Sequence, residues 1–306
     1  VARRVARLHP SAGAPDDGIA TWYLGSAELF HAEVLRRQLR VDEALAAAMR
    51  AARAFEQAQA HAWLADSARA WRARSHLARV HALLLVRAEV EAADELVQAA
   101  TIDAGSVAGG LIGTRDGLDR DLPDAIDGIF EWRLGRASRV DGARLAARLD
   151  AAVAGDAAAT QVLAMVADAL LREALRDDGR EGVAAEFEHL VRDEDDPRTY
   201  WETRRGRVPT AAGDALMEQS VAVARMARVR SEDGEAARRA LAQALCVAAQ
   251  RAWIRGERAA AMPRLQEAAA LLGREAMALD EDGARELLRA LRSELGPARP
   301  APRPGR

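Results

Sequence analysis

Two Glu-x-x-His motifs are the sharpest catalytic candidates in the chain. Glu28-Leu-Phe-His31 and Glu186-Phe-Glu-His189 each place a carboxylate and an imidazole one helical turn apart, on one face. Ferritin-like di-iron bundles hold their metals with two such motifs and one further Glu from each of two other helices. Against that chemistry, the motifs stand far apart in sequence, and six histidines with frequent Glu generate such pairs by chance. Helix packing for His31 and a surface position for His189 are the readings that compete with a metal site. His76 and His81 are five residues apart and do not share a face at ligand spacing, so they read as packing residues.

Other constellations are weaker. Gly109-Gly-Leu-Ile-Gly113 has the look of a phosphate loop but follows an Ala-rich helix instead of a strand, which reads as an inter-helix connection. Asp193-Glu-Asp-Asp196 supplies the carboxylates that hard cations want, without the spacing or glycine of a calcium loop. Arg204, Arg205 and Arg207 follow it and can neutralise it. Ser26 follows Gly25, but Glu28 stands where a nucleophile elbow has its second glycine. Trp22, Tyr23, Trp63 and Trp71 form the densest aromatic set. Aromatics and Arg dominate binding hot spots, although at helical spacing such residues more often belong to a core.

Composition removes whole classes of chemistry. All 44 Lys/Arg positions are Arg, and Asn is absent too, as a GC-rich, bacterial-type coding sequence would produce. Without Lys there is no P-loop, protein-kinase or pyridoxal-enzyme machinery in this chain. Without Asn there is no Cys/His/Asn triad and no N-glycosylation acceptor. The net charge of −3, with signs interspersed, is a solvated surface and argues against nucleic acid as partner. The lone Cys246 excludes an internal disulfide and sits in an apolar stretch. The sequence has no apolar run of membrane-spanning length. These features point to a non-enzymatic protein with no cofactor and no membrane insertion, placed in the cytoplasm. The chain begins at Val1, not Met, which leaves room for processing or truncation.

The elements that must carry these residues are helical. Half the chain is hydrophobic but only 4% aromatic, and alanine is the largest part of it. Alanine is the best helix former and lets helices approach closely. The apolar spacing predicts helices over 19–38, 41–60, 64–87, 89–101, 122–135, 141–154, 158–176, 180–192, 211–230, 233–254, 257–273 and 280–295. The division is a disordered entry (1–17), N-terminal hairpins (18–101), a Gly-rich loop (102–121), a middle helical group (122–192), an acidic and Arg-rich loop (193–210), C-terminal hairpins (211–295) and a Pro-rich tail (296–306).

Residues 28–55 resemble a tetratricopeptide repeat. Arg36-Arg-Gln-Leu-Arg-Val-Asp-Glu-Ala44-Leu-Ala is similar to the family's inter-helix turn, and Ala32, Leu35, Ala44 and Ala51 fall at its small and packing positions. A second copy runs through His81, Leu84, Val90-Glu-Ala-Ala93, Val97 and Ala100. A third has Gly256 at the turn, with Ala249, Ala252, Ala261, Leu265 and Ala268 at the small and packing positions, and Glu235-Ala236-Ala237 opens another such helix. The spacing from Ala44 to Ala93 exceeds one family period, the first copy lacks the closing proline, and Pro263 falls inside an expected helix.

The resemblance implies an all-α fold of antiparallel helical hairpins stacked as an α-solenoid, with an irregular helical bundle as the alternative. It further implies a scaffold that binds another protein or peptide in a concave groove lined by the first helix of each hairpin. The candidate partner-binding residues are Trp22, His31, Arg37, Trp71 and Arg74. A regulatory or sensory arm of a larger protein and a di-iron metalloprotein are the alternatives. The same register places Ala44 and Ala261 at helix crossings and Ala47 toward the outer face.

Overall fold

The computed structural model describes residues 16–109, 121–131, 138–153, 157–177, 210–231, 234–274 and 281–295. Among these, every regular element is an α-helix. We label them α1 (Asp16–Arg37), α2 (Val41–Ala58), α3 (Ala65–Leu85), α4 (Glu89–Gly109), α5 (Asp121–Phe130), α6 (Gly142–Ala152), α7 (Ala157–Asp177), α8 (Ala211–Arg230), α9 (Glu235–Ile254), α10 (Arg258–Leu271) and α11 (Glu281–Leu295). The expected helix at 180–192, the acidic and Arg-rich loop and the two termini lie outside the described residues.

Packing divides the chain into two units, Val1–Val162 and Leu163–Arg306. The sequence places its divisions at 102–121 and 193–210 instead. The Gly-rich stretch is a break in composition but not in packing, because α5 and α6 beyond it return to pack on α3 and α4. Helix α4 is interrupted at Asp103 by an extended backbone (φ −156°, ψ 90°), two residues past the expected helix end at 101, and a further helical stretch runs on to Gly109.

In the first unit α1 to α4 each pack on the next helix in order, and alternate helices also touch: α1 on α3, α3 on α5, α4 on α6. In the second unit α9 packs on α8, α10 and α11, and α10 on α11. Ion pairs Arg225–Glu267 (2.7 Å) and Arg264–Glu218 (2.6 Å) join α8 to α10. The Ser220 hydroxyl on α8 donates to the Ala167 carbonyl of α7 at 2.7 Å.

Three hairpins turn in the same way. Leu39, Arg87 and Gly256 each adopt a left-handed backbone, with φ of 60°, 64° and 80°. In each, the next residue's N–H reaches back to a carbonyl five residues earlier: Arg40 to Leu35 (2.9 Å), Ala88 to Leu83 (3.1 Å), Glu257 to Ala252 (2.9 Å). That bond satisfies a carbonyl that the helix end would otherwise orphan. Only one of the three positions has glycine, the residue that takes this conformation without steric cost.

Counting from the left-handed residue aligns the hairpins. Five residues on lie Ala44, Ala92 and Ala261; nine on, Ala48, Leu96 and Leu265; twelve on, Ala51, Ala99 and Ala268; all nine are buried. Seven residues back lie Ala32, Val80 and Ala249, also buried. Counted this way, the equivalent positions of the second hairpin are Val80, Leu83, Ala92, Leu96 and Ala99, one residue before the expected His81, Leu84, Ala93, Val97 and Ala100, of which Ala93 and Ala100 are buried as well. Adjacent alanines at 92 and 93 made either register readable.

Ala47 is a second correction. It is 0% exposed, not turned outward, because α2 is packed on one side by α1 and on the other by α3. Ala44, Ala47, Ala48, Ala51, Ala52, Ala54, Phe55 and Ala58 are all buried on α2, an arc too wide for a single stripe. Pro263 is accommodated within α10, which runs on through it to Leu271.

Candidate functional site

The expected binding residues separate into two groups. Trp22 on α1 and Trp71 on α3 meet edge to face, with centroids 5.8 Å apart and planes at 79°. Phe55 on α2, fully buried, stacks on Trp71 at 6.0 Å and 28° and meets the Trp22 edge at 6.2 Å. Edge-to-face and offset geometries are the arrangements that the ring quadrupoles favour. Tyr23 packs against Trp22 at 5.5 Å and is itself exposed. The Arg74 guanidinium lies 4.9 Å over the Trp71 ring, a cation–π contact.

The backbone makes room for this cluster at Gly25. A Cβ there would stand 2.9 Å from the Phe55 ring, so Phe55 is seated directly against the α1 backbone. Trp22 Nε1 is buried and finds no hydrogen-bond partner among the described residues. Trp22, Phe55 and Trp71 are therefore mainly packing, and Tyr23 and Arg74 are the solvent-facing rim. Trp63 stands apart, 61% exposed on the connection from α2 to α3.

His31 and Arg37 are not part of the cluster. Both are exposed further along α1. His31 Nδ1 stands 3.9 Å from Glu28 Oε2. Arg37 donates to Glu33 at 2.7 Å. Burial raises the Glu33 carboxyl's pKa, but hydrogen bonds from Arg36 and Arg37 outweigh it and hold the group below its ordinary value.

The first Glu-x-x-His motif is engaged in packing. Arg50 on α2 donates to Glu28 Oε2 at 2.8 Å, so this buried carboxylate is neutralised by a guanidinium. Glu186 and His189 lie outside the described residues. Among the described residues, no three or more His, Cys, Asp and Glu side chains group closely enough to hold a metal ion, and no helix is long and apolar enough to cross a membrane. Cys246 is buried.

Two ionic clusters escaped the sequence reading. His76 Nδ1 lies 2.7 Å from Glu95 Oε2, and Arg79 reaches the other Glu95 oxygen at 2.6 Å, joining α3 to α4. In the second unit Arg251, 3% exposed, donates to Asp214 Oδ1 at 2.9 Å and to the carbonyls of Ala174 (3.4 Å) and Thr210 (3.3 Å). Arg255 pairs with the other Asp214 oxygen. Arg251 thus ties α9 to the start of α8 and the end of α7. One arginine among 44 carries no sequence mark of such burial.

No match stands behind this geometry. Neither a family model, a curated protein nor a solved structure matches the chain.

Proposed function

We propose that the chain is a non-catalytic scaffold of the tetratricopeptide-like kind, which binds another protein or a peptide across its first helices. The observation that carries this reading is the meeting of Trp22 and Trp71. These residues come from α1 and α3, the first helices of two hairpins with the same turn. Stacked hairpins of one shape align their first helices side by side, and that row forms an extended binding surface. Tyr23 and Arg74 are the residues of this row that combine a fixed aromatic base with solvent access. An exposed tyrosine and an arginine already positioned over a ring lose little rotamer freedom on binding, which is what hot-spot residues require. His31 and Arg37 extend the surface along α1.

Affinity capture with the intact chain, compared with Arg74→Glu, tests the proposal. Arg74 is a rim residue, so reversing its charge leaves the Trp22–Phe55–Trp71 packing in place, and an unchanged thermal midpoint verifies that. The proposal expects one saturable partner set, with binding to Arg74→Glu weakened at least tenfold, about 1.4 kcal/mol. Equal capture by the two chains, or none by either, overturns it.

A further inference from the structure

The outer face of α1 carries an apolar stripe that no described element covers. Ile19 (38% exposed), Tyr23 (58%), Phe30 (66%) and Val34 (50%) recur at the spacing of one helix face. Between them stand Ala27, also exposed, and Ser26, whose hydroxyl is satisfied by the Trp22 carbonyl at 3.1 Å. The buried face of the same helix, through Gly18, Gly25, Ala32 and Leu35, points the opposite way. Apart from the ring contact between Tyr23 and Trp22, the stripe is separate from the contacts that hold α1 on α2 and α3.

The order of side chains along the stripe reads the same in both directions. From the midpoint between Ser26 and Ala27, the aromatic rings Tyr23 and Phe30 stand at equal distances on either side. Ile19 and Val34 stand at equal distances beyond them. Small residues occupy the centre, where two helix axes would come closest. Tyr23, Ala27, Phe30 and Val34 also follow the alternating four-three spacing of a helix–helix seam.

We propose that this face is a self-association surface on which a second copy of the chain packs, α1 against α1, antiparallel about a two-fold axis. An isologous contact requires a surface complementary to itself, and this stripe pairs Tyr23 with the partner's Phe30, and Ile19 with the partner's Val34. The stripe extends over about 23 Å of helix, and a single helix face falls short of the about 800 Å² per partner of a standard stable interface. The dimer is accordingly weak, with micromolar dissociation.

Sedimentation of the full chain from about 1 to about 200 μM, which brackets micromolar dissociation, tests this. The average mass should rise with concentration from 32.9 kDa toward twice that value. Phe30→Asp should remain monomeric throughout with its circular dichroism unchanged, since the residue is exposed. With the only native cysteine buried, engineered thiols read the register. Ala27→Cys should form a disulfide dimer on oxidation. An equimolar mixture of Tyr23→Cys and Phe30→Cys chains should do so too, while neither of these alone should. A wild-type chain that stays monomeric over the range overturns the proposal; that outcome includes the case in which residues 1–15 cover the stripe. A dimer that survives Phe30→Asp, or Tyr23→Cys chains that cross-link with themselves as readily as in the mixture, overturns it equally.

Discussion

At the scale of single residues, Gln250 and Arg251 are neighbours in the chain with opposite energetic roles. Both amide atoms of Gln250 are buried with no hydrogen-bond partner among the described residues, and a buried polar group left unmade costs about 1–3 kcal/mol. Gln250→Met keeps the length and removes the unmet groups, so it should raise the unfolding free energy by about 1 kcal/mol. Arg251, equally buried, is fully used by Asp214 and two carbonyls. Breaking a buried pair typically costs about 3–5 kcal/mol. Arg251→Met should cost about 2–3 kcal/mol, because Arg255 still neutralises Asp214. Urea midpoints of the two variants should move in opposite directions; movement in the same direction contradicts this assignment. The aromatic site divides along similar lines. Trp22 and Trp71 stand out in the sequence as part of its densest aromatic set, but Phe55, which joins them, does not. Its place depends on the missing side chain at Gly25, a contact between helices that no single-helix pattern contains.

At the scale of the helix and its turn, two of the left-handed residues make a paired test. Gly256 and Leu39 have the same backbone conformation and the same returning hydrogen bond. A left-handed non-glycine residue costs about 1–2 kcal/mol, and Leu39 is largely exposed, so its side chain returns little. Leu39→Gly should stabilise the first hairpin by about 1 kcal/mol, net of the extra freedom glycine gains in the unfolded chain. Gly256→Ala should destabilise the third by about 1 kcal/mol. Thermal midpoints supply the readout, and a loss of stability in Leu39→Gly contradicts the shared turn. The helix spans themselves were legible because the apolar spacing has a clear 3.6-residue period. The short helical stretch beyond the break at Asp103 was not, since Gly105 and Gly109 lower helix propensity. The slip in the second hairpin has a similar cause: the pair Ala92-Ala93 satisfies a small-residue pattern in either register.

At the scale of the whole molecule, one register recurs in three hairpins. Composition and periodicity point to helices, and every regular element among the described residues is one, but they could not say how far each helix is enclosed. Ala47 shows the difference. Nothing in the sequence distinguishes it from Ala46, yet Ala47 is buried by helices on both sides of α2 and Ala46 is exposed. The most direct test inserts leucine at the three equivalent positions that follow each turn. Ala44, Ala92 and Ala261 are all buried, and overpacking such a site costs about 1–3 kcal/mol because neighbouring side chains must leave their rotamers or the helices must separate. Ala46 and Ala260, exposed on the same helices as two of them, should accept leucine within about 0.5 kcal/mol. The account predicts that Ala44→Leu, Ala92→Leu and Ala261→Leu each lower the denaturant midpoint, while Ala46→Leu and Ala260→Leu leave it in place. Neutral behaviour at two or more of the three equivalent positions would contradict the common register, and with it the binding surface proposed across α1 and α3.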